Sequence, residues 1–123
     1  MAPSDFSAVA ARLKAIFEPY RDRLIVVKES PDEIHLDSPM MHPSGKARIF
    51  FGGVRRGKNY VSFHLMPVYT CRELLDGMSD ALKARMQGKS CFNFRSVDEP
   101  LMKELERLTK RGFEQFRKAK YLS

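Results

Sequence analysis

Residues 46–66 read KARIFFGGVRRGKNYVSFHLM: two runs rich in β-branched and aromatic residues, on either side of a short basic segment. This pattern predicts two antiparallel strands, Lys46–Val54 and Tyr60–Met66, joined by a hairpin whose tip carries Arg55, Arg56 and Lys58. Gly57 is expected to supply the positive φ that a tight turn demands. In the second strand a period of two sends Val61, Phe63 and Leu65 to one face and Tyr60, Ser62, His64 and Met66 to the other. The first set is the expected core. The rest of the fold turns on what covers each face.

Upstream, Phe6, Val9, Ala10, Leu13, Phe17 and Tyr20 keep the three-and-four spacing of one helical face. Ser4 or Asp5 is placed to cap that helix, and Pro19 marks its exit. Leu24–Lys28 and Glu33–Asp37 flank the turn residues Ser30-Pro31-Asp32 and form a second expected hairpin. The segment SPMMHPSG (38–45) has two prolines and a glycine and is expected to be a loop. Downstream, Cys71–Asp76 and Ser79–Gln87 are predicted as short helices, the second capped by Ser79 and stopped by Gly88. Ser90–Arg95 alternates as a strand that buries Phe92 and Phe94. After Pro100, Leu101, Leu105, Leu108, Gly112 and Phe116 form one stripe of a long amphipathic helix, edged by Met102, Thr109 and Phe113. Arg107, Arg111 and Lys118 fall on its opposite, solvated side. The expected fold is α+β: a two-layer sandwich with a mainly antiparallel sheet of about five strands and both terminal helices packed on one face.

At 123 residues the chain is the size of one domain, spanning 1–123. The apolar fraction of 43% and charged fraction of 30% are those of a globular protein. No window approaches the roughly 18 apolar residues that a membrane helix needs. The N-terminal MAPSDFSAVAARLK lacks the basic start and apolar run of a secretory signal, so a cytoplasmic protein is expected. Cys71 and Cys91 are too few for a disulfide scaffold and are expected to stay reduced.

The formal net charge of +7 is concentrated. Between Ser38 and Arg72 there is no acidic residue, while Lys46, Arg48, Arg55, Arg56, Lys58 and Arg72 are basic. A second acid-free window, Ala81–Val97, holds Lys83, Arg85, Lys89 and Arg95. Such windows create a positive field attractive to phosphate, carboxylate or an acidic protein face. Tyr60, His64, Met66 and one of Phe50 and Phe51 must lie on the sheet face away from the helices. That face needs a cover, whether the 38–45 loop, a small molecule, a partner protein or a second copy of the chain. The candidate binding residues are therefore Arg55, Arg56 and Lys58 at the tip and Tyr60, His64 and Met66 on the second face. Nucleic acid is the alternative partner, its phosphates met by the tip and its bases stacked on the strand aromatics.

Chemical motifs are sparse. His35, His42, His64, Cys71 and Cys91 fall on different elements without CxxC, HxxxH or HxH spacing, and no metal site is expected from them. His64 and Cys71 are close in sequence, yet nothing marks an orienting group or an oxyanion site for a nucleophilic pair. GGVRRG lacks the strand, glycine loop, lysine and helix order of a nucleotide site. The expectation is a non-enzymatic binding or chaperone-like module without a cofactor.

The pattern FFGGVRRGKNYVSFHLMP at Phe50–Pro67, followed by GKSCFNFRSVDEPLMKELERLTKRG at Gly88–Gly112, resembles the YdhG-like proteins, small bacterial domains of unknown function. The resemblance covers more than half the chain. It implies a frataxin-like α+β fold. Because some members are described by analogy as intracellular iron chaperones, it also implies iron handling. Iron of that kind would need a ridge of carboxylates; the first helix offers Asp5, Glu18 and Asp22, set among Arg12, Lys14, Arg21 and Arg23.

Overall fold

A computed structural model describes residues 6–41, 45, 48–88 and 90–118. Helix α1 spans Phe6–Phe17 and buries Val9, Ala10, Leu13, Ile16 and Phe17 along one stripe. Its expected cap at Ser4 or Asp5 lies outside the described residues. A 3₁₀ turn at Glu18–Arg23, with Pro19 at its start, leads into β1 (Ile25–Ser30). β2 (Glu33–Met41), β3 (Arg48–Arg56) and β4 (Val61–Leu65) follow, and then α2 (Met66–Thr70). A 3₁₀ turn at Arg72–Leu75 and α3 (Asp80–Lys83) precede β5 (Met86–Gln87), β6 (Cys91–Phe94) and the long α4 (Glu99–Lys118). The six strands form one sheet in the order β1-β2-β3-β4-β6-β5, with every neighbouring pair antiparallel. Among the described residues, no helix is long and apolar enough to cross a membrane.

The α+β class and the placement of the terminal helices agree with the expectation. Phe17 of α1 stacks on Phe63 of β4 at 4.9 Å and meets Phe51 of β3 edge-on at 6.1 Å. Phe113 and Phe116 of α4 close on Phe51 at 5.9 and 5.3 Å. Phe17, Phe51, Phe63, Phe92, Phe94 and Phe116 are fully buried. At about 1.5–3 kcal/mol for each buried large apolar side chain, this aromatic layer is a principal stabiliser of the domain. The two helices are also tied by Arg12, which donates to Glu99 at 2.9 Å and Glu106 at 2.8 Å. The Glu99 hydrogen bond, the largest influence, holds the guanidinium above its ordinary range against the opposing effect of burial.

Gly52 and Gly53 allow this packing. A Cβ at Gly52 would sit 2.9 Å from the Phe17 ring and 2.7 Å from the His64 carbonyl oxygen; one at Gly53 would sit 2.4 Å from the Ile34 carbonyl oxygen. The pair is thus a seat for α1 and for the adjoining strands. Around it the β2–β3 register shifts between Leu36 and Asp37, from Leu36↔Gly52 to Asp37↔Phe50. The bulge turns both Phe51 and Gly52 toward the helices, while Phe50 goes to the other face, half-buried.

Several expectations are corrected. The sheet has six strands rather than about five, because 79–87 is not one helix. After α3, Met86–Gln87 pairs with β6 through Met86↔Phe92 and Gln87↔Cys91. Backbone pairing and the packing of Met86 on the core outweigh helix propensity there. Residues 38–41 continue β2 instead of forming a loop. Pro39 falls inside a register irregularity between Asp37 and Met41, where a missing N–H is tolerated. Residues 42–44, 46 and 47 lie outside the described residues. Gly57 is not among the glycines with positive φ, which are Gly45, Gly77 and Gly88. The hairpin is a four-residue connection, Gly57–Tyr60, closed by the Gly57 N–H donating to the Tyr60 carbonyl at 2.8 Å, so it does not need the left-handed conformation of a two-residue turn.

Candidate binding face

The helices cover one side of the sheet. On the other, the register aligns side chains from five strands. His35 lies opposite Gly53 and Gly53 opposite His64; His64 in turn lies opposite Cys91. Because the central position of this row is a glycine, the two histidines face each other across a gap rather than across a side chain. Phe50 forms one wall, with its ring centroid 4.6 Å from His35 and 6.3 Å from His64. His35, Phe50, Gly53 and His64, together with Lys28, Glu33 and Arg55, line an open groove of about 570 Å³.

The charges on this face are paired unevenly. His35 Nε2 is 2.8 Å from Asp37 Oδ1, and Lys28 Nζ is 3.8 Å from Glu33. Arg55 is exposed and makes no ion pair among the described residues. It lies near enough to act on His64: burial first, and then the positive charge of Arg55 and of His35, hold that imidazole below its ordinary value of 6.5. Toward β5 the face changes character. Ser62 Oγ donates to Asn93 Oδ1 at 2.8 Å and Asn93 Nδ2 donates to Gln87 Oε1, a polar string that satisfies itself.

His64 and Cys91 are in contact, with Sγ 3.2 Å from Nδ1. Burial pushes the Cys91 thiol up, only partly opposed by a hydrogen bond with Ser90. Both shifts favour a neutral thiol beside a neutral imidazole, opposite in direction to the thiolate–imidazolium pair of a cysteine nucleophile. Cys71 lies elsewhere, between α2 and the following 3₁₀ turn, and packs partly on the core. Among the described residues, no group of three or more His, Cys, Asp or Glu side chains could hold a metal ion.

Of the six predicted site residues, the structure brings Arg55 and His64 together. Arg56 faces the helix side, where it pairs with Asp32 at 2.8 Å, donates to Ser7 Oγ at 3.0 Å and lies over the Phe6 ring. Lys58 is exposed in the connection. Two placements on the second face are corrected. Tyr60 belongs to the connection, not to β4, and Met66 opens α2 and packs against the core. The strand ends at Leu65 because α2 begins at Met66 with Pro67 in its first turn, a position where a proline's lost N–H costs nothing.

Family models, curated proteins and solved structures gave no match to this chain.

The open face carries three further residues that the hairpin alone did not indicate: His35 and Phe50, which line the groove, and Cys91, which touches His64. A signal for the first and last was present, since Glu33, His35 and Asp37 alternate with Ile34 and Leu36, as Cys91 and Asn93 do with Phe92 and Phe94. Their convergence on His64 depends on register, which no local pattern carries.

Proposed function

We propose that this chain is a non-enzymatic binding module of YdhG-like, frataxin-like type whose ligand occupies the groove on the open sheet face. The observation that supports this most directly is the row His35–Gly53–His64 with Phe50 as its wall: a concave, half-apolar surface with a few convergent polar groups on rigid strands. The neutral state favoured for Cys91 and His64 is the reason to prefer binding over catalysis. Iron as cargo fits poorly, since two of the carboxylates near the end of α1 are committed to cations. Glu18 pairs with Arg21, while Glu29 pairs with both Arg21 and Lys14.

The test is backbone-amide NMR mapping with a fragment set of mixed charge, repeated on Phe50→Glu. Shifts should cluster at His35, Phe50, Gly53, Arg55 and His64 and vanish in the variant, whose fold is checked by circular dichroism. Shifts that cluster elsewhere, or that survive Phe50→Glu, would overturn the reading. A DNA oligonucleotide that instead shifts Lys58 and Arg55 at low salt, with steep loss of binding as salt rises, would favour the polyanion alternative.

A further inference from the structure

Resting on the binding-module reading, we propose that the groove takes a small aromatic carboxylate, its ring laid against Phe50 and its carboxylate held by Arg55 beside His64. The sign of the ligand follows from the charge pairs on this face. Lys28 is offset by Glu33, and the Asp37 carboxylate is engaged by His35 Nε2 at 2.8 Å. Arg55 has no such partner among the described residues, and its charge acts on a half-buried imidazole. A guanidinium left uncompensated beside imidazoles is a site of positive potential at the edge of a partly dry surface, where a bidentate carboxylate gains more than in water.

The ring follows from Phe50 and Gly53. Phe50 already meets His35 at 4.6 Å, so aromatic packing extends along this wall. The missing side chain at Gly53 leaves the floor open between the two imidazoles. A flat group fits that slot, and a volume of about 570 Å³ suits a ligand of one or two rings. With Arg55 as the one unpaired cation among the described groove residues, a monoanion is favoured over a dianion.

Charged and titratable groups bearing on His64 are Arg55 from β3, His35 with Asp37 from β2, and Cys91 from β6; Lys28 and Glu33 stand further along the groove. A bound carboxylate offsets the positive charges that disfavour imidazolium, so it should raise the His64 pKa.

The experiment uses the full chain and three probes: naphthalene-2-carboxylate, the neutral naphthalene-2-methanol and inorganic phosphate. The carboxylate should shift Phe50, Gly53, Arg55 and His64 signals and raise the His64 pKa. Arg55→Gln should weaken it about tenfold and Phe50→Leu about three- to tenfold, from the usual strengths of charge-assisted hydrogen bonds and aromatic contacts. Both variants are checked for native circular dichroism. If the alcohol or phosphate binds as tightly as the carboxylate, or Arg55→Gln binds unchanged, the ligand class is overturned. The module reading survives if the alcohol, or naphthylmethylammonium as a cationic control, still maps to this face. Silence of the face toward all four compounds would overturn both.

Discussion

His64 shows how one position carries two demands. Its backbone belongs to the central ladder, with a carbonyl that leaves no room for a side chain at Gly52, and its ring sits half-buried between Phe50 and Cys91. Burial, Arg55 and His35 lower its pKa, so the unfolded chain binds the proton more readily than the native one. As pH falls through the unfolded value near 6.5, the unfolded state takes up more protons and stability drops, levelling off below the folded pKa. Urea unfolding at several pH values between 7.5 and 5 should show this slope, and His64→Gln should flatten it. An unchanged slope in the variant would mean that other groups cause it.

Among the elements, α3 is the shortest helix and depends on its cap. Ser79 Oγ accepts from the Leu82 N–H at 3.1 Å and donates to Glu104 Oε1 at 2.6 Å, while the Ser79 N–H donates to the same carboxylate at 2.8 Å. The cap thus joins α3 to α4. Ser79→Ala should cost about 1 kcal/mol, with Ser79→Thr retaining most of it, measured by urea denaturation. No loss in the alanine variant would show that α3 is held by Leu82 burial alone. The cap was legible at Ser79, but the helix end was not. Met86 and Gln87 have ordinary helical neighbours, and only the proximity of β6 gives them a strand partner. The bulge at Phe51 likewise escaped counting, because a period of two cannot say which of two adjacent phenylalanines faces the helices.

At the scale of the molecule, one core cluster runs from Val9 in α1 through the sheet to Phe116 in α4, without a break that would let one part unfold alone. Unfolding should therefore be two-state. Tyr20 stacks on Phe113 at 4.8 Å and reports helix packing; far-UV circular dichroism reports the backbone. With no tryptophan to interfere, tyrosine fluorescence and circular dichroism should give the same urea midpoint. Separate midpoints would reveal two cooperative units. The same layering decides where binding can happen, because the helices use one face of the sheet and leave the other to solvent or to a ligand.

The class of fold, the amphipathic terminal helices and the core faces of β4 and β6 followed from the sequence, because each rests on periodicity within a dozen or so residues. Arg55 and His64 were visible in the same way. Their neighbours were a matter of tertiary structure. Arg56 left the basic tip for Asp32, Met66 left the second face for the core, and Cys91, rather than Cys71, came to His64. Strand register and the β3 bulge made those choices, and both are settled by contacts between segments far apart in the chain.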